Sequence, residues 1–150
     1  MPEFRYKARV GNVGSYQLSG VPFISSSIDV PINTEVPFEV QFPNVSKFVT
    51  VTNDNSGSNV ALRVGFSQRG VAGAENATSE RPQALVPEGA KNNYYFILNN
   101  GESYTGEWRV SSVYLRADSG DGCEATVIAG LTGIDYRELG SNWSGSVGVG

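Results

Sequence analysis

The chain has 150 residues, a formal charge of −4, no histidine and one cysteine. That inventory excludes an internal disulfide, a cysteine metal cluster and any Ser–His or Cys–His nucleophile. Only 17% of residues are charged and no basic cluster occurs, which excludes phosphate-driven nucleic-acid binding as the main activity.

A chain of this length is one domain by the usual prior, long enough to bury a core without staples. Eighteen glycines and seven prolines interrupt helical periods often, while aromatic and aliphatic residues recur throughout. The combination predicts an all-β protein rich in turns. No apolar run approaches the roughly 20 residues that span a bilayer. The N-terminal sequence MPEFRYKARV lacks the apolar core of a signal peptide, so synthesis in the cytosol is expected.

Residues 1–27 read as an arm or edge segment. Arg5, Lys7 and Arg9 alternate with Phe4, Tyr6, Ala8 and Val10, which fits an edge strand, an arm lying on another surface or a frayed end. From Val21 the pattern tightens into short extended runs, Val21–Ile24 and Ile28–Ile32. Pro22, Pro31 and Pro37 hold their predecessors extended and cannot donate to a central ladder, so these runs belong at sheet edges or strand starts. Phe38, Val40 and Phe42 then alternate with Glu39 and Gln41, the period of a half-buried strand. Pro43-Asn44 turns the chain into Lys47–Thr52.

The Asn53–Asn59 cluster is a turn. It fails as a calcium loop, because an EF-hand needs acidic ligands at fixed offsets and a closing Glu, whereas Asp54 is the one acid here. Leu62, Val64 and Phe66 alternate with Arg63 and Gly65 in the next strand. Residues 67–92 have few large apolar residues and no period; a connection this long inside a domain is commonly a functional or contact loop. Three runs follow, divided by Asn99-Asn100-Gly101 and Asp118–Gly122: Asn93–Leu98, then Tyr104–Ala117, then Cys123–Leu131. The last sixteen residues, from Asp135, form a Gly/Ser-rich tail carrying Trp143, an aromatic expected to dock on this chain or on a neighbour.

The chemical inventory is short. No phosphate loop or dinucleotide fingerprint occurs. Glu102 with Glu107, and Asp118 with Asp121, are carboxylate pairs that a glycosidase could use, but turn acids are favoured by backbone hydrogen bonding alone. Cys123 has small apolar neighbours and no nearby cation to lower its pKa, so it reads as core. No cofactor or metal is expected. Sequons at Asn44, Asn76 and Asn142 read as chance in an Asn/Ser-rich chain.

Eight strands can be counted: Ile28–Ile32, Phe38–Phe42, Lys47–Thr52, Ala61–Ser67, Asn93–Leu98, Ser103–Trp108, Val110–Ala117 and Cys123–Leu131. They predict an antiparallel sandwich over residues 28–134, with jelly-roll and immunoglobulin-like orders both open.

Three segments then carry a resemblance. They are Phe42–Asn53 (FPNVSKFVTVTN) with Leu62–Ser67; Tyr95–Ser103 (YFILNNGES) with Trp108–Leu115; and Thr126–Ile134 (TVIAGLTGI) with the closing Gly/Ser/Trp tail. Together, across residues 38–150, they resemble the small single jelly-roll penton proteins at the vertices of large icosahedral DNA viruses, such as algal giant viruses. The resemblance implies an eight-stranded jelly roll and a non-catalytic capsid protein, made in the host cytoplasm and assembled into the virion. Five copies would form a homopentamer around each fivefold axis, contacting the major capsid protein and minor capsid proteins. The candidate contacts are the loop Gln68–Asn92, with Arg69, Glu80 and Arg81, the turn Asn53–Asn59, and Trp143 in the tail. Arg5 and Arg9 in the arm would reach minor capsid proteins beneath the vertex. Two other readings remain beside it: a head-decoration sandwich, and a carbohydrate-binding module using Tyr104, Trp108 or Trp143.

Overall fold

Alternation with a period of two puts one side chain in two against a partner sheet, as in the run Cys123–Ala129. The computed structural model describes residues 8–17, 19–54, 59–73, 93–146 and 148–150. Their strands are β1 (Val21–Val30), β2 (Phe38–Gln41), β3 (Asn44–Asn53), β4 (Leu62–Gly65), β5 (Tyr95–Leu98), β6 (Ser103–Gly106), β7 (Ser112–Ala117) and β8 (Cys123–Asp135). Two short helices, α1 (Gly14–Gln17) and α2 (Gln68–Ala72), and a 3₁₀ turn at Tyr136–Leu139 complete the regular structure.

The strands build two four-stranded antiparallel sheets, ordered β1-β8-β3-β6 and β2-β7-β4-β5. Their pairing follows a nested rule. The first strand pairs with the last, the second with the seventh, the third with the sixth and the fourth with the fifth. The chain is therefore one long hairpin, rolled so that its tip is the connection between β4 and β5. The pairs β3·β8 and β4·β7 stitch the roll into two sheets. The eight described strands, from Val21 to Asp135, thus form an all-β sandwich.

Inward-facing residues of both sheets share one core, among them Val49, Val51, Leu62, Val64, Val113, Leu115, Ala125 and Val127, all fully buried. Burying each such valine or leucine stabilises the fold by roughly 1.5–3 kcal/mol. Proline marks the edges: β1, which contains Pro22, and β2, which follows Pro37, are edge strands of their sheets.

The run Val21–Ile24 and the first three residues of Ile28–Ile32 belong to one strand, which ends at Val30. A bulge between Ser25 and Ile28 keeps β1 in register with β8 on both sides. Ser27 absorbs it with φ of 54°. At the other end, β8 continues past Leu131 to Asp135. The described part of the N-terminal segment is not strand: Ala8–Val13 turns into the one-turn helix α1.

Cys123 opens β8 and faces the core at 5% exposure. Burial pushes its thiol up to about 11, with the Asp54 carboxylate adding to the effect. A thiol that is neutral when folded but ionises near 9 when unfolded stabilises fully below pH 9, and that share is lost as pH rises toward 11. Tyr114, raised to about 12 by burial and by Glu39, acts in the same direction but only above pH 10. Urea midpoints measured between pH 8 and pH 10 should therefore fall more steeply in the native chain than in Cys123→Ala.

Candidate functional site

The strand order brings the start of β1, the end of β8 and the end of β4 to one end of the sandwich. That end gathers the N-terminal segment, the start of the β4–β5 connection, the β6–β7 crossing at 107–111 and the C-terminal tail. The tail is not loose. The 3₁₀ turn begins on Asp135, whose carboxylate accepts from Arg137 N–H at 2.9 Å. Gly140 (φ 67°), Gly145 (φ 93°) and Gly148 (φ 92°) then let the chain reverse repeatedly. Asn142 also adopts a left-handed φ of 52°, a conformation Asn tolerates better than most residues.

Asn142 is the clasp of this end. Its carboxamide oxygen accepts from the N–H and hydroxyl of Ser111 and from Ser112 N–H at 3.3 Å. Its NH₂ donates to Phe66 C=O at 3.0 Å and to Ser112 C=O at 3.1 Å. One side chain thus ties the tail to the end of β4 and the start of β7. The tail then reaches α2, where Ser67 Oγ donates to Val149 C=O at 2.7 Å and a Cβ on Gly70 would overlap that carbonyl. Asn142 is 6% exposed with its amide fully engaged, so its sequon cannot carry a glycan in the folded chain.

Trp143 docks on its own chain. Its indole N–H donates to Arg109 C=O, and the Arg109 guanidinium lies over the indole at 4.9 Å from the centroid. Arg109 also donates to Val10 C=O at 3.2 Å, and Tyr16 O–H donates to the same carbonyl at 2.8 Å. The Trp143 tail and the segment around Arg9 therefore meet across Arg109. Arg9 itself is exposed, and its backbone N–H is held by Ser15 Oγ at 3.0 Å. Arg69 is exposed elsewhere, on α2, beside a shallow cavity shared with Thr34–Pro37. Arg5, Glu80 and Arg81 lie outside the described residues, as does most of Gln68–Asn92 and the centre of Asn53–Asn59.

Beneath α2 the structure departs from simple alternation. Arg63 and Arg116 stand directly opposite each other on β4 and β7, on the outer face of their sheet, yet both are buried. The last carbonyls of α2 are their acceptors. Arg63 donates to Val71 C=O at 3.3 Å, and Arg116 donates to Ala72 C=O at 2.9 Å and to Glu35 C=O at 3.4 Å. Cations at a helix C-terminus complement its exposed carbonyls. Asp118 pairs with Arg63 at 2.6 Å, and Tyr95 lies against the same guanidinium at 4.5 Å. Arg63, which the sequence places on the alternate parity to Leu62 and Val64, is a packing residue that roots α2 on the sheet.

Asp118 is committed to Arg63, and Glu102 accepts from Asn99 N–H at 2.9 Å in the β5–β6 turn. Among the described residues, no group of three or more His, Cys, Asp or Glu side chains could hold a metal ion. No described helix is long and apolar enough to cross a membrane.

The open side of the sandwich, between edge strands β5 and β6, carries an aromatic cluster. Phe96, Tyr104 and Trp108 meet there with ring centroids 5.3–5.9 Å apart. Phe66 packs edge-on against Trp108 at 4.9 Å. Tyr104 and Trp108 were legible in the sequence; Phe96 was hidden by its place in the run Tyr94–Leu98. No family model, curated protein or solved structure matches this chain.

Proposed function

We propose that this chain is a single jelly-roll capsid protein that assembles as a homopentamer at the fivefold vertices of an icosahedral virion. The observation that carries the reading is the nested pairing of the rolled hairpin. A jelly roll is a double-sheet sandwich of eight strands with Greek-key crossings, and the orders β1-β8-β3-β6 and β2-β7-β4-β5 are what rolling one long hairpin produces. The resemblance of residues 38–150 to vertex proteins supports the assignment to a capsid. Its partners are then further copies of itself, the major capsid protein and minor capsid proteins, and the work needs no catalysis and no cofactor. A ring contact is heterologous, so each copy presents two different surfaces that close by rotation. The hairpin tip and the exposed Arg69 form one such surface; the segment around Arg9 and the docked Trp143 form part of the other.

The test is excision of the tip. Removing Gln68–Asn92 entirely would strip α2 from Arg63 and Arg116, so the informative deletion starts after Gly73. A chain lacking residues 74–92, closed by a short glycine turn, should keep its native unfolding midpoint and fail to form rings in sedimentation. Normal rings from this variant would remove the tip from the contact.

A further inference from the structure

We propose that the open β5/β6 side of the sandwich is a binding site for neutral saccharides. β5 and β6 are edge strands of opposite sheets, so no further strand closes the gap between them. The gap holds a groove of about 540 Å³ lined in part by Phe96, Glu102, Ser103, Tyr104 and Trp108. That volume lies in the range of small-ligand sites, which pair apolar walls with a few polar groups.

The floor of the groove is preorganised. A Cβ at Gly106 would overlap the indole of Trp108, so this glycine makes room for the ring against the end of β6. Phe66 holds the indole from the side. Tyr104 then lies nearly parallel to Trp108, at 21° and 5.6 Å, and is 52% exposed. The result is a stepped aromatic platform with one face in water. At its rim the Glu102 carboxylate is fixed by Asn99 N–H at 2.9 Å and keeps further lone pairs for hydroxyl donors. The Ser103 side chain adds a donor and an acceptor.

Apolar ring faces beside hydroxyl acceptors suit a sugar, which presents C–H groups on one face and O–H groups around its edge. An anionic ligand is disfavoured, because no cation lines the groove. A quaternary ammonium is disfavoured too. An aromatic cage needs space between its walls, and these rings already touch one another.

The experiment is NMR titration of the full chain with neutral di- to tetrasaccharides of glucose, galactose and N-acetylglucosamine, following the Trp108 indole N–H. A saturable shift at or below about 10 mM is expected. Tyr104→Ala, at an exposed position, should fold normally and bind at least about tenfold more weakly. Glu102→Gln should weaken binding less, and Tyr104→Phe should retain it. The proposal is overturned if no saccharide shifts the indole signal, if Tyr104→Ala binds as well as the native chain, or if phosphocholine or an extended peptide shifts it in place of the sugars. Particle mass is measured on the same variant. If Tyr104→Ala changes assembly and leaves sugar binding untouched, the groove is a subunit contact and the saccharide proposal fails. Loss of rings in the native chain would leave the saccharide result standing.

Discussion

Replacing Asn142 with alanine should lower stability by about 3 kcal/mol. The variant loses a buried carboxamide that serves the Ser111 and Ser112 N–H groups and the Phe66 and Ser112 carbonyls. Each buried group left without a partner costs about 1–3 kcal/mol. Alanine is also strained at a φ of 52°, which adds about 1 kcal/mol. Relaxation of the tail offsets part of the sum. Urea unfolding would report the change directly, and a scan should show a melting temperature lower by about 6–12 °C. Asn142→Gly separates the two causes: it relieves the backbone but not the lost hydrogen bonds, so it should recover about 1 kcal/mol of the alanine defect. Equal midpoints for native and Asn142→Ala chains would mean that the tail does not clasp the sandwich.

Arg116→Ala should be costlier, at about 4 kcal/mol. The residue is fully buried and is the largest such side chain among the described residues. Its removal opens a cavity under α2, and truncating a large buried side chain costs about 3–5 kcal/mol. It also takes a donor from Ala72 C=O and from Glu35 C=O. One effect opposes these, since Arg63 stands directly across the ladder and like charges repel. That relief is small because Asp118 already pairs with Arg63 at 2.6 Å. Cavity and lost hydrogen bonds therefore win. Arg116→Met, which fills most of the space, should cost about half as much, and the difference measures the cavity term. Denaturant midpoints of the two variants decide it; an Arg116→Ala chain as stable as the native one would show that α2 is not rooted through this residue.

The strands were legible because their cause is local. Alternation in Phe38–Phe42, Lys47–Thr52 and Cys123–Leu131 puts apolar side chains on one face whatever the rest of the chain does. Prolines 22 and 37 announced edges for the same reason. The joining of Val21–Ile24 with Ile28–Ile32 was not legible, because Ser25–Ser27 resembles a turn until β8 supplies the ladder that makes it a bulge. The burial of Arg63 and Arg116 was not legible either. Their positions alternate correctly as an outer face, but α2 folds back to cover that face, and no period within β4 or β7 records a cover arriving from elsewhere.

The candidate surfaces divide similarly. Trp143 could be expected to dock because an exposed indole in a glycine-rich tail is unfavourable, and it does so on Arg109. Asn142, one residue earlier, left no signal beyond a sequon. Its role depends on Phe66, Ser111 and Ser112, which are at least 30 positions away in sequence. Tyr104 and Trp108 were visible as aromatics at strand spacing; that they stack at the β5/β6 side of the sandwich follows from the crossing between sheets.

As proposed above, the rolled eight-stranded hairpin would serve as a ring-forming capsid unit. Native mass spectrometry of the full chain at assembly concentration tests it most directly. A dominant species at five times the mass of the single chain is expected, replaced by monomer when residues 74–92 are removed. A monomer, dimer or trimer as the only species across that concentration range would contradict it.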